Sequence, residues 1–195
     1  MISGPSGAGK TTVVEKILHR DPQLKCSISA TTRPPRADEV EGEAYFFVTD
    51  EKFERLKQGR LIEWARVHGH FYGTPKDFLD KTLGAGKDVV LNIDVQGGMS
   101  VKKSFPDAVL IFILTPSLEV LEERIRRRAA DLAEEIEKRL ENAWGEINVA
   151  VEYDYVVEND ELEDTVATVL AIIRSERQRR HRYPESYFKR FDPHM

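Results

Sequence analysis

An α/β fold built on a mostly parallel sheet is what this sequence predicts, and three observations predict it. Short apolar runs alternate with amphipathic stretches along the chain, the pattern of repeated strand–helix–strand units. The chain opens with a short apolar segment, a glycine-rich turn and a run whose apolar residues have helical spacing. Its 195 residues, 41% hydrophobic and 32% charged, suffice for one compact domain and exclude a disordered or collagen-like chain.

Each element has its own justification. Residues 1–3 form a first strand that leads into the glycine turn. A helix follows to about Asp21, with Val13, Val14, Ile17 and Leu18 on one face. Residues 25–30 read as a strand, 31–42 as a polar loop broken by Pro34 and Pro35, and 44–48 as a second strand. Residues 51–58 make a short helix that Gly59 terminates. Residues 61–67 and 70–72 pair as strands around Gly69. Thr74 reads as the cap of a helix with Pro75 in its first turn, stopping near Gly84. Residues 89–93 and 109–114 are strands of the buried type, and Ser117 caps a helix whose face is Leu118, Leu121 and Ile125. Residues 132–152 form another helix and 155–157 a last strand. Asp160 with Glu163 resembles a capping box for a helix carrying Leu162, Val166, Leu170 and Ile173 on one face. Beyond Arg182 the apolar spacing decays.

Composition excludes several function classes. The longest unbroken apolar run, residues 108–114, is a strand's length and too short to span a bilayer, and no signal segment opens the chain. Cys26, the one cysteine, cannot form an internal disulfide, and no Cys/His cluster suggests zinc; the expectation is a soluble protein of a reducing compartment, the cytoplasm. A net charge of −5 argues against general nucleic-acid binding. Basic runs at Arg124, Arg126, Arg127 and Arg128, and from Arg174 to Arg182, each have a solvated helix face as their ordinary reading. Trp64 and Trp144 read as packing residues.

Chemistry enters at the first turn. Gly4-Pro5-Ser6-Gly7-Ala8-Gly9-Lys10-Thr11 fits G-x-x-x-x-G-K-[ST] at every position. Glycines let successive backbone N–H groups curl around an anion, and the following helix points its positive end at the same place. Lys10 would reach the β- and γ-phosphates of a nucleotide, and the Thr11 hydroxyl would ligate Mg²⁺. This P-loop does not by itself choose between an ATPase, a GTPase and a kinase.

The choice comes from motifs further along. Ser29-Ala30-Thr31-Thr32-Arg33-Pro34-Pro35-Arg36, Ile62-Glu63-Trp64-Ala65, Phe71-Tyr72-Gly73-Thr74-Pro75 and Ile93-Asp94-Val95-Gln96-Gly97-Gly98 follow the P-loop in order. With them the chain closely resembles the guanylate kinases, from Ile2 to about Ile173. The resemblance implies a P-loop NTPase-type three-layer fold with a parallel central sheet over residues 1–182. It also implies a GMP-binding subdomain near 31–75, a helical lid near 124–139, and an extension over 183–195. The implied reaction is Mg²⁺-dependent transfer of the γ-phosphoryl of ATP to GMP or dGMP, in purine nucleotide metabolism and GMP recycling. The implied partners are those small molecules, with no nucleic acid and no membrane, in a monomer or homodimer.

The resemblance also distributes roles. ATP would lie on Gly4, Pro5, Ser6, Gly7, Ala8, Gly9, Lys10, Thr11 and Thr12, with Asn159 at its adenine. Ser29, Arg33, Arg36, Tyr45 and Tyr72 would hold the acceptor phosphate; arginine is suited to this by its planar, permanently charged donors. Glu63, Thr74 and Asp94 would read guanine, whose N1–H and N2–H suit a carboxylate and whose O6 suits a hydroxyl. Adenine, with an acceptor at N1, would face that carboxylate with lone pairs opposed. Taken singly, Glu63 would be an exposed strand carboxylate and Thr74 merely a cap. Lys10, Arg33, Arg124, Arg128 and Arg139 would be catalytic, the last three as lid arginines over the donor phosphates.

The chain departs from the family in three places. Asn92 stands where an acidic residue is usual near the metal, and Arg128-Ala129-Ala130 replaces an Arg-Gly-Thr in the lid. Only three residues precede Gly4, where the family's first strand is longer; either the start lies upstream or the sheet tolerates a stub, and the expectation is lower stability than that of an extended chain. Two rivals share the cradle: a ribose-bisphosphate phosphokinase, which should lack Glu63, Thr74 and Asp94 together, and a non-enzymatic guanylate-kinase-like module, which would have lost residues such as Lys10 and Thr11.

Overall fold

The computed structural model describes residues 1–36, 39–67, 69–128 and 133–192, the side chains of 128 and 133–135 excepted. Two sheets organise them. The first is parallel. β2 (Leu24–Cys26) pairs with β7 (Asp88–Val90), and β8 (Ile111–Leu114) pairs with both β1 (Ile2–Ser3) and β9 (Tyr155–Glu158). A bridge from Ile2 to Asn92, with the Ile2 N–H donating to Leu91 at 2.8 Å, joins the two halves in the order β2-β7-β1-β8-β9. The second sheet has the order β4-β3-β6-β5, made of β3 (Ala30–Thr31), β4 (Phe46–Phe47), β5 (Leu61–Val67) and β6 (His70–Pro75).

Helices cover both faces of the parallel sheet. On one side, α1 (Lys10–Arg20) and α7 (Leu162–Arg177) put Val13, Val14, Ile17, Val166, Val169 and Leu170 into one buried cluster with Ile2, Ile111, Ile113 and Val157. On the other, α4 (Val95–Ser104) buries Val95 against Leu110, Phe112 and Tyr153, and Val101 against Leu91 and Ile93. α3 (Lys76–Gly84) packs against β7, and α2 (Asp50–Lys57) inserts Phe53 under the second sheet, where it stacks on Phe71. α5 (Leu118–Arg128) and α6 (Ala133–Asn148) form a pair held by Leu121, Ile125 and Ala143. A short α8 (Glu185–Lys189) places Tyr187 and Phe188 in an aromatic cluster with the flanking Tyr183 and Phe191. No helix among the described residues is long and apolar enough to cross a membrane.

Several elements differ from expectation, each for a visible reason. The strand expected over residues 25–30 is two strands: Ser27 N–H still donates to Val90 in the parallel sheet, but the Ser29 carbonyl already accepts from Phe46 of the other. The chain thus changes sheets within three residues. Thr74 is not a helix cap. It lies in β6 opposite Glu63, and the helix starts one residue later, after Pro75. The capping box at Asp160 does not form, because Lys16 and Arg20 of α1 occupy the Glu163 carboxylate and Glu161 takes the cap position. Part of the terminal basic run is structural: Arg177 pairs with Asp21 and Asp88 at 2.6 Å each, and Arg182 donates to the Glu176 carbonyl. Trp64 and Trp144 are exposed rather than packed inside; Lys57 Nζ lies 4.2 Å from the centre of the Trp64 ring.

Candidate functional site

The glycine turn between β1 and α1 has the backbone that its sequence requires. Gly4 has φ 144°, and a Cβ there would stand 2.1 Å from the Ile113 carbonyl oxygen. Gly9 has φ 87°, and a Cβ there would meet the Asn159 amide at 2.3 Å. Neither position admits a side chain. Lys10 folds back over the loop, its ammonium donating to the carbonyls of Gly4 and of Pro5 (3.0 Å). Thr11 and Thr12 are exposed at the head of α1, as is Ser6 in the loop. The N–H groups at this helix start are therefore presented to an anion.

Asn159 has a different job from the one expected. It is buried, its amide nitrogen donating to the Ala8 carbonyl at 2.7 Å and its oxygen accepting from Thr165 at 3.1 Å. The side chain braces the turn from behind instead of standing open to a base. α5 supports the other flank, with Ile125 and Leu121 pressed against Gly7. Arg124 is half-buried on the same helix, whereas Arg126 turns to an exposed pair with Glu122. Arg139 lies on α6, half-buried. The Arg128 side chain and residues 129–130 lie outside the described residues.

A second constellation is built on the second sheet. Tyr72 and Thr74 share one face of β6, since strand side chains alternate, and their partners Ala65 and Glu63 share the matching face of β5. Thr31 lies opposite Tyr72. Arg33, just beyond β3, donates to the Tyr72 hydroxyl at 3.2 Å and lies 5.5 Å from the Tyr45 ring centre, and the rings of Tyr45 and Tyr72 meet edge-on. Arg33, Tyr45 and Tyr72 thus come together. Arg36 is exposed, and Ser29 is half-buried where the chain changes sheets.

Glu63 is buried, not exposed. Its carboxylate accepts from the Thr74 hydroxyl at 2.5 Å, and burial pushes its pKa up to about 7, with the Asp94 charge adding to the rise and the Thr74 bond opposing it. The carboxylate lies against Gly97 of α4, where a Cβ would stand 2.9 Å from Oε2. Asp94 caps that helix, accepting from the Gly97 N–H at 2.8 Å. Glu63, Thr74 and Asp94 therefore meet around the first turn of α4.

Three residues near the sites carry only faint sequence signals. Gly97 forms the seat of the Glu63 carboxylate. Glu146, half-buried on α6, has its pKa raised by burial, with the Lys10 charge opposing the rise and the Asp94 charge adding to it. Glu39 holds Arg33 through both carboxylate oxygens. Gly97 stands inside the Ile93–Gly98 motif without a role of its own there, and Glu39 and Glu146 are single acidic residues among many, which nothing local sets apart.

The same arrangement has known relatives. The family model described as guanylate kinase matches residues 1–176. A guanylate kinase of Caldanaerobacter subterraneus subsp. tengcongensis is 48% identical over 190 residues, 97% of this chain and 92% of its relative. One of Thermotoga maritima is 48% identical over 178 residues, covering 91% and 86%. The crystal structure of guanylate kinase from Anaplasma phagocytophilum superposes with a TM-score of 0.77 at 35% identity, covering 92% of this chain and 85% of that one.

Proposed function

Because the chain belongs to the guanylate kinase family and so catalyses the ATP-dependent phosphorylation of GMP, we propose that its two sheets divide the reaction. The turn between β1 and α1 holds the triphosphate of ATP on residues 4–12. The second sheet, with residues 31–75 as a subdomain, holds GMP or dGMP. The helix pair carries the arm that joins them, near residues 124–139.

On the donor side, the Lys10 ammonium exchanges the Gly4 and Pro5 carbonyls for the β- and γ-phosphate oxygens. Mg²⁺ fits as an ion that arrives with the nucleotide. Thr11 offers an exposed hydroxyl at the head of α1, and Asn92 offers an amide. Thr11 and Asn92 would hold the ion together with phosphates and water, and when bound it would neutralise charge on the donor phosphates.

On the acceptor side, Arg33, Arg36, Tyr45, Tyr72 and Ser29 grip the GMP phosphate, which leaves one of its oxygens as the nucleophile. Glu63, once ionised, accepts from guanine N1–H and N2–H. The Thr74 hydroxyl, which now donates to Glu63, rotates to O6 when the base brings its own donors. Asp94 holds the first turn of α4 beside them. Phosphoryl transfer needs alignment and charge stabilisation more than covalent help, and Arg124, Arg128 and Arg139 supply the charge from the arm. In the cell this amounts to GMP recycling within purine nucleotide metabolism, in the cytoplasm.

The observation that carries the acceptor assignment is the buried Glu63 carboxylate, hydrogen-bonded to a hydroxyl and seated on a glycine. ADP formation from ATP, followed with GMP, dGMP, AMP and a ribose bisphosphate as acceptors, tests it. Turnover with the two guanine nucleotides and not with the others is expected. Turnover with AMP at a similar rate would refute the role of Glu63.

A further inference from the structure

We propose that Glu39 is a positioning residue for the acceptor phosphate: its carboxylate fixes Arg33 in the orientation that grips GMP. The inference rests on the reading of Arg33 as part of that grip. Arg33 is held on three sides. Its Nη2 donates to both Glu39 oxygens, at 2.7 and 2.9 Å; its Nη1 donates to the Pro34 carbonyl at 2.7 Å; its Nε donates to the Tyr72 hydroxyl at 3.2 Å. The rings of Tyr45 and Phe47 lie 5.5 and 5.8 Å from the guanidinium carbon. A guanidinium has five N–H groups. These contacts leave one Nη1 N–H and at most one on Nη2 for a phosphate oxygen, in a fixed plane.

Glu39 also orders the turn that carries the neighbouring arginine. Its Oε2 accepts from the Arg36 backbone N–H at 2.9 Å, while the Arg36 side chain stays mostly exposed with its guanidinium 4.0 Å from Oε1. The Arg33 and Glu39 side chains are only 14% and 13% exposed, which sets this pair apart from ordinary surface ion pairs. Hydrogen bonds from Arg33 hold Glu39 below the usual carboxylate range, so it stays ionised at neutral pH.

The charge and the geometry predict opposite outcomes when Glu39 is removed. Deleting a negative charge beside two arginines should strengthen the attraction for a phosphate dianion. Deleting the group that orients Arg33 should weaken the grip, because a free arginine must lose side-chain freedom each time GMP binds. If Glu39 positions Arg33, the second effect wins.

Steady-state kinetics on the full chain decides. Glu39→Ala should raise KM for GMP about tenfold, with kcat and KM for ATP within about twofold of the parent. Glu39→Gln, which keeps one acceptor oxygen, should recover part of the loss, and both variants are read alongside their melting temperatures. Arg33→Ala should raise KM for GMP further, and Arg33→Ala with Glu39→Ala should equal Arg33→Ala alone. An unchanged or lowered KM for GMP in Glu39→Ala, or an equal rise in KM for ATP, would overturn the proposal. If Glu39→Ala does not fold, the Glu39→Gln KM and its coupling to Arg33→Ala decide the same question. If Arg33→Ala itself leaves KM for GMP unchanged, the grip reading fails instead, and the two failures are thereby distinct.

Discussion

Lowering pH should impair recognition of GMP well before it impairs ATP binding, and Glu63 is the reason. The carboxylate must be ionised to face the two guanine donors, yet burial raises its pKa to about 7. Two groups set that value from neighbouring elements: the Thr74 hydroxyl of β6, which opposes the rise, and the Asp94 carboxylate at the head of α4, which adds to it. If only the ionised form is competent, about half the molecules bind GMP at pH 7 and roughly one in ten at pH 6, so KM for GMP should rise about tenfold between pH 8 and pH 6. The GMP phosphate also titrates near 6, as phosphate monoesters do. The informative comparison is therefore with Glu63→Gln, whose profile retains only the phosphate component. The same burial has a sign in stability. Between about 4.5 and 7 the folded state holds the extra proton, so this group's contribution falls as pH rises through that window, by about 3 kcal/mol in all. Initial rates at pH 6, 7 and 8 over a range of GMP concentrations provide the assay. Parallel profiles for the parent and Glu63→Gln would refute the reasoning.

Three further outcomes follow from the geometry. Lys10→Met should nearly abolish transfer while leaving GMP affinity, measured by calorimetry, close to that of the parent; an equal loss of GMP affinity would mean the two pockets are misassigned. Gly97→Ala places a methyl 2.9 Å from Glu63 Oε2, so it should raise KM for GMP several-fold and narrow the preference for GMP over AMP, both read in the ADP-formation assay. Asn159→Ala removes the amide from the Ala8 carbonyl and from Thr165; it should cost about 1–3 kcal/mol by denaturant titration and raise KM for ATP more than KM for GMP.

Legibility of the fold and the site follows the range of the interactions. The glycine turn is readable because every residue that defines it lies within eight positions. The alternation of helices and strands is readable for the same reason, since amphipathic spacing is a local property. The change of sheets at residues 27–29 is not, because two strands in line look like one until their partners, Val90 and Phe46, are known. Thr74 misleads because Thr-Pro before an amphipathic run is a sound local signal for a helix start; its register with Glu63, eleven residues away, overrides it. Asn159 is beyond reach, since its partner Ala8 is 151 positions distant. The acceptor residues are named through resemblance to a family, and the burial that gives Glu63 its chemistry appears only when α4 packs against β5.

Glu63 stands on one sheet, and the glycine on which it rests lies in the first turn of a helix that follows a strand of the other. The base is thus read at a seam rather than inside either half. Selectivity and cohesion then share the same few atoms: an exchange that admits a different purine also alters how the halves hold together, and an exchange that tightens the joint alters which purine is admitted. Engineering one property here will drag the other with it.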